Sequence, residues 1–363
     1  MKPFEKMKLG MGIGGWMTNY KRVRFLPADR AFEITIGDKE HFDRYITRTD
    51  IQNIRGFGMD HIRIPFDQVV LEEYDKPFVY REDMLRLLDR MIGWSLDEGL
   101  EVVLNMHHAI GCYCDFGEAS SLLDDERLKM RFIRMWEMLE GRYHDNNLIF
   151  EILNEVTSAD TVAWNELATR CVEAIRVKNP TRRIILGSAS WNSCHTLKDL
   201  KVFDDENIGY TYHFYEPNAF THQRSTTGPM RYAYNREIPY PGDVSYYLDY
   251  ARYTGDSERV FDGYDVIDRR FIEARLQDAL DWKNAHPDKF LWFGEFGTIS
   301  HARPEWRLNW MRDVVRFHVE NGIPFSSWNY LSTPYDCNKF SLVTEDDRKI
   351  VSQEMLAIIQ GKI

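Results

Sequence analysis

Eight short apolar runs alternate with amphipathic helical stretches along the chain, and this alternation constrains the fold more than any other feature. The runs are KLGMGIG (8–14), HIRIPF (61–66), EVVLNMH (101–107), LIFEILN (148–154), RIILGS (183–188), IGYTYHF (208–214), FLWFGEF (290–296) and IPFSSW (323–328). Helical patterns fill the spaces at 41–58, 81–99, 126–143, 162–178, 268–284 and 305–322. In the stretch 126–143, Leu128, Phe132, Met135, Trp136 and Leu139 recur at three- and four-residue steps and make one apolar face. Gly58, Gly99 and Gly322 stand where helices should stop. Buried strands separated by helices pair in parallel. Eight such units in one mid-sized domain favour an α/β fold closed as a (β/α)8 TIM barrel over an open doubly wound sheet. No GxGxxG follows the first run and no Walker loop occurs, so a nucleotide-binding open sheet has no support. The whole chain, 1–363, therefore reads as one domain. Residues 215–267 interrupt the alternation after the sixth strand and are rich in Tyr, Pro, Gly and charge. An insertion that long at a strand's C-terminal end predicts a small helical cap over one side of a site.

Charge and composition narrow the partners. The 57 acidic residues exceed the 46 basic ones, and the net charge of −11 opposes nucleic acid and anionic membrane surfaces. No run of 18 apolar residues occurs, so no membrane span is expected. Aromatic residues reach 14%, a surplus that suits a groove stacking flat, weakly polar rings such as sugars. Cys112, Cys114, Cys171, Cys194 and Cys337 are odd in number and scattered, unlike a disulfide framework. With no signal peptide at the N-terminus, a cytoplasmic protein is expected, or a secreted one if a leader was removed. A monomer is expected.

In a barrel of this kind the C-terminal strand ends face one shared cleft. Those ends carry Arg63, His107 with His108, Asn154 with Glu155, His213 with Tyr215, Glu295, and Trp328. Glu155 and Glu295 end strands 4 and 7, which lie across the barrel mouth from each other. Two opposed carboxyls about 5–5.5 Å apart are what retaining glycoside hydrolysis requires, one as acid/base and one as nucleophile. Glu295 as nucleophile wants cationic or donor neighbours, which Arg63 and Tyr215 can supply. Glu155 as acid wants a drier setting. Asn154 is placed to bond a sugar 2-hydroxyl, and Trp328 offers a stacking face.

The segments HIRIPFD (61–67), NMHHA (105–109), EILNEV (151–156), YTYHFYEP (210–217), WFGEFGT (292–298) and SSWNY (326–330) resemble glycoside hydrolase family 5, the cellulase family of clan A. The opening GIGGW (12–16), the start HFDRYIT and the late VSQEML (351–356) resemble the clostridial endoglucanase C type within it. The resemblance spans essentially the whole chain. It implies that Arg63 sits beside the nucleophile Glu295, that His107 lines the subsite of the cleaved sugar, and that Asn154 holds the 2-hydroxyl. It further implies Glu155 as acid/base, His213 and Tyr215 flanking the carboxylates with Tyr215 bonding the nucleophile, and Trp328 as platform followed by a cis bond. GSASWNS (187–193) departs from the Gly-Gly-Asn-rich turn of that pattern, which leaves the glucan linkage open.

The reading is thus a retaining endo-β-glucanase acting on soluble β-1,4- or mixed β-1,3-1,4-glucans and cello-oligosaccharides, without a cofactor, because both steps are carboxylate chemistry. A β-mannanase or an exo-acting β-glucosidase would use the same two glutamates. Trp16 and Trp191 lie at strand ends and could equally contact substrate or pack; the helical Trp94, Trp136, Trp164, Trp282, Trp306 and Trp310 are expected to pack. His107–His108 with Cys112 and Cys114 superficially suggests zinc, but adjacent histidines on a strand point to opposite faces and C-x-C alone chelates poorly. No metal is expected, and one of the two histidines should be a packing residue.

Overall fold

The computed structural model describes residues 2–18, 34–113, 121–225, 229–333 and 339–363. Eight parallel strands close into a barrel: β1 (Leu9–Gly12), β2 (His61–Asp67), β3 (Glu101–His108), β4 (Leu148–Glu151), β5 (Arg183–Gly187), β6 (Ile208–His213), β7 (Phe290–Glu295) and β8 (Phe325–Ser327). Neighbours in sequence are neighbours in the sheet, and β8 closes on β1 with Leu9 opposite Phe325. All eight strands lie within or overlap the eight apolar runs, and the fold is the expected (β/α)8 barrel.

The two-residue period of a strand sorts these side chains into an interior and an exterior set. At the barrel floor Phe4 and Met7 pack with Val103, Ile149, Ile185 and Trp292. One step further along the same strands the interior positions are Asn105, Glu151 and Gly187, so the lining turns from apolar to polar on the way to the mouth. The exterior set, including Leu104, Phe150, Ile184 and Leu186, packs under the helices in the main core. Trp136, Trp164 and Trp310 are buried there, as expected of helical tryptophans.

The pattern 41–58 reads as one helix but forms two, Ile36–Arg44 and Arg48–Gly56. The cause is local. Thr47 takes an extended backbone and forms a capping box with Asp50, so a new helix starts inside the apolar periodicity. The insertion is helical, as expected, with one addition. Besides the helices Asn218–Thr221, Pro229–Tyr234 and Val244–Thr254 it contains a two-stranded antiparallel ladder, Gly242–Asp243 with Val266–Ile267. It shares the barrel's core through Tyr240, Tyr247, Tyr250, Phe261 and Ile267. The Tyr240 hydroxyl donates to Asp313 on the helix Pro304–Glu320 at 2.9 Å, which docks the insertion on the barrel.

Asp50 does more than cap a helix. Its Oδ2 accepts from the Thr47 backbone N–H and hydroxyl at 2.8 Å, while Oδ1 accepts from the Tyr330 hydroxyl at 2.8 Å and from Arg348 Nε at 3.0 Å. One buried carboxylate thereby joins the second helix to the segment after β8 and to the C-terminal region. Asp50→Ala is expected to destabilise the protein by about 3 kcal/mol, since it removes a cap and strands a buried hydroxyl and a guanidinium. Urea unfolding of the two proteins measures the difference.

Candidate active site

The site is built around Arg63, which β2 points into the barrel and which is completely buried. Arg63 Nε and Nη2 donate to the two oxygens of Glu151 at 2.6 and 2.8 Å, a bidentate pair. Nη2 also donates to Asn154 Oδ1 at 2.6 Å, and Nη1 donates to Glu295 Oε1. One guanidinium therefore ties β2, β4, the segment after β4 and β7 together. Burial by itself would lower its pKa, but Glu151 and Glu295 outweigh it and the net shift is upward. Its positive charge is permanent.

Glu295, at the end of β7, is held from both sides. Arg63 reaches Oε1, and the Tyr215 hydroxyl donates to Oε2 at 2.9 Å. Burial, aided by the charges of Glu295 and Glu155, pushes the Tyr215 phenol well above its ordinary value, so it stays a donor. Burial also raises the Glu295 pKa above that of an ordinary glutamate, while His213, Arg63 and Tyr215 pull the other way. Burial lowers the His213 pKa to about 4, so at neutral pH Arg63 and Tyr215 are the groups that keep Glu295 ionised.

His213 stands between the carboxylates. Its Nδ1 lies 2.7 Å from Glu155 Oε1 and 3.8 Å from Glu295 Oε2. An irregularity in the β6–β7 register between Tyr212 and His213 sets His213 opposite Glu295, a local bend of the kind that re-aims a side chain. One ligand-type atom from each of Glu155, His213 and Glu295 falls within 4.8 Å of the others. The two carboxyls thus share one sugar-sized gap. Their contacts to His213, Tyr215 and Arg63 account for this convergence.

The remaining candidates divide. Trp328 directly follows β8 with its ring parallel to His107, centroids 5.5 Å apart and planes 7° apart, and a cis peptide bond follows it to Asn329. A Cβ on Gly12 would come within 2.8 Å of the Trp328 ring, and one on Gly14 within 3.0 Å. Gly12 and Gly14 therefore make room for the tryptophan. Burial lowers the His107 pKa well below its usual value, with His108, Arg63 and His213 adding to the effect, so His107 is neutral. Trp191 is 48% exposed at the rim.

Two further candidates are buried against protein groups. His108 is buried with Nδ1 2.7 Å from Asp67 Oδ1, and its ring does not part from His107 as strand alternation predicts: the two meet edge to face with centroids 4.9 Å apart at the end of β3. Trp16 is buried in the main core, and its indole N–H donates to the Phe42 carbonyl at 2.7 Å. Of the suggested zinc cluster, Cys112 is a buried free thiol and Cys114 lies outside the described residues.

Sequence reasoning missed two polar residues of the site, Glu151 and Asn192. Glu151 gave a signal: a carboxylate inside the apolar run LIFE needs a buried partner, and Arg63 inside HIRIPF is its mirror image. Asn192, which contacts His213 Nε2 at 3.3 Å, gave none.

A closed parallel barrel with two facing glutamates at its C-terminal mouth, cradled by arginine, tyrosine and histidine, defines a glycoside hydrolase of the two-carboxylate type. The sequence model described as "Cellulase (glycosyl hydrolase family 5)" matches residues 29–333, and the chain belongs to this family. It is 33% identical to Endoglucanase C of Acetivibrio thermocellus over 97% of both chains. It is 29% identical to Cellodextrinase A of Ruminococcus flavefaciens, covering 86% of this chain and 82% of that one. Among solved structures, Thermotoga maritima Cel5A in complex with cellobiose superimposes with a TM-score of 0.75 at 22% identity over 98% of each chain, a likeness of fold.

The electrostatics give two expected outcomes. Activity that depends on ionised Glu295 falls as pH drops through the Glu295 pKa, and because burial raises that pKa the acid limb of kcat/KM lies above 4.5. Tyr215→Phe removes a donor to the ionised form and moves this limb to still higher pH, as a pH–rate profile on a soluble glucan will show. Arg63→Met leaves Glu151 buried without its counter-charge and is expected to cost about 3–5 kcal/mol of stability. Glu295→Gln, measured beside it by denaturant unfolding, should cost far less.

Proposed function

We propose that this chain is a retaining endo-β-1,4-glucanase acting on soluble β-glucans and cello-oligosaccharides. The observation that carries the reading is the convergence of Glu155 and Glu295 on one gap, with carboxylate oxygens within 4.8 Å. A separation near 5 Å suits direct attack by one carboxylate, whereas an inverting pair stands about 6.5–9.5 Å apart to admit a water. Glu295, ionised by Arg63 and Tyr215, attacks the anomeric carbon while Glu155 gives its proton to the departing glycosidic oxygen. The glycosyl–Glu295 ester is then cleaved by a water whose proton Glu155 takes back. Arg63 holds Asn154 Oδ1 and so orients the amide with Nδ2 as donor for the sugar 2-hydroxyl.

The glucan preference is supported by the names of its relatives, Endoglucanase C and Cellodextrinase A. We further read the chain as a monomer, since a single copy supplies every group of the site. Buried free thiols at Cys112, Cys171 and Cys194 are in keeping with the cytoplasm.

Proton NMR of cellotetraose hydrolysis tests the mechanism. The β-anomer should appear first, and first appearance of the α-anomer would exclude Glu295 as nucleophile. Initial rates on barley β-glucan, carboxymethylcellulose, mannan and aryl glucosides test the substrate. The two glucans should be cleaved fastest with an early fall in viscosity; dominant mannan cleavage would reject the assignment. Glu155→Gln should lower kcat on the glucans by on the order of 10²–10⁴.

A further inference from the structure

The turn after β5 carries Ser190, Trp191 and Asn192 in the left-handed region, at φ 52°, 59° and 51°. Single non-glycine residues visit this region seldom, asparagine most readily, and a run of three needs a surrounding structure that demands it. The backbone N–H groups of Ser190 and Trp191 donate to the carbonyls of Ser158 and Val156 at 3.1 and 2.9 Å, in the segment just after Glu155. The turn is thereby fastened to the same loop that carries the acid. Its product is the placement of Asn192, fully buried, with Nδ2 3.3 Å from His213 Nε2. The seat is shaped for it. A Cβ on Gly187 would lie 2.2 Å from Asn192 Oδ1, so only glycine at the end of β5 leaves the amide its place.

A neutral imidazole carries one N–H, and the partner of one ring nitrogen decides which nitrogen bears it. His213 Nδ1 faces Glu155 Oε1 at 2.7 Å and His213 Nε2 faces Asn192. We propose that Asn192 is a positioning residue: it donates from Nδ2 to His213 Nε2, which places the imidazole proton on Nδ1 and directs it to Glu155 Oε1. That oxygen is then an acceptor, and the proton Glu155 delivers to the leaving group resides on Oε2. With the tautomer reversed, Nδ1 would itself accept the Glu155 proton, and the acid would point its proton at a histidine in place of a glycosidic oxygen. The other charged or titratable groups facing this pair are Glu295, Arg63, Glu151, Tyr215 and His107. The partner that Nε2 has is Asn192.

The inference rests on Glu155 as the acid/base, and the experiment separates the two. Asn192→Asp keeps the shape but offers an acceptor, so it draws the proton to Nε2. Ring-nitrogen NMR shifts should show Nε2 bare in the wild type and protonated in the variant. A cellotetraose leaving group needs the acid, whereas a dinitrophenyl cellobioside does not. The Asn192→Asp loss in kcat/KM should therefore be at least about tenfold larger on cellotetraose, within the range that a misdirected general acid allows. Asn192→Ala, which removes the donor and adds no charge, should show the same split and serves if the aspartate variant folds poorly. A protonated Nε2 in the wild type, or equal losses on both substrates, overturns the proposal. Glu155→Gln on the same two substrates is the control. Absence of the split there would reject Glu155 as the acid, while a split there without one in the Asn192 variants would reject the role of Asn192 alone.

Discussion

A single buried guanidinium organises the catalytic end of this barrel. Arg63 spends its donors on Glu151, Glu295 and Asn154, and through them joins three strands whose ends would otherwise be free to move independently. The charge balance explains why the arrangement is stable. A lone arginine at complete burial would be costly, but here it faces two carboxylates with good hydrogen-bond geometry. The same contacts serve chemistry. The residue that neutralises Glu151 also favours the charged form of Glu295.

Around this pair the barrel separates protonation states by environment. Glu295 has donors on both oxygens, which offset the upward pull of burial. His213 and His107 are deprived of charge by burial and by the nearby arginine, so they act as neutral, directional hydrogen-bonding groups. Tyr215 is held protonated beside a carboxylate it can stabilise but not exchange protons with at neutral pH. Permanent charge is confined to groups that must have it.

How much of this was legible in the sequence depended on whether a residue's role is local or relational. The eight strand runs, the helices between them and the strand-end glutamates announce themselves through period and position. The capping box at Thr47 and Asp50 was also written locally, yet the apolar period across 41–58 concealed it. His107 and His108 are adjacent, and strand alternation predicts that they part company, yet at the end of β3 their rings meet edge to face. Trp16 sits at a strand end like Trp328, but its indole finds the Phe42 carbonyl and is drawn into the core. Asn192 belongs to a turn whose left-handed backbone no propensity foretells.

The sequence alone determined the barrel and the chemical type of the site. A short apolar run, repeated eight times between helical patterns, can bury its apolar surface in few other ways, and glutamates at strand ends must then meet at one mouth. Only the tertiary structure decided the pairings: Glu151 with Arg63, Asn192 with His213, Asp67 with His108. Such pairs join segments far apart in the chain, and their distances follow from barrel closure and strand register, quantities that no stretch of neighbouring residues encodes by itself.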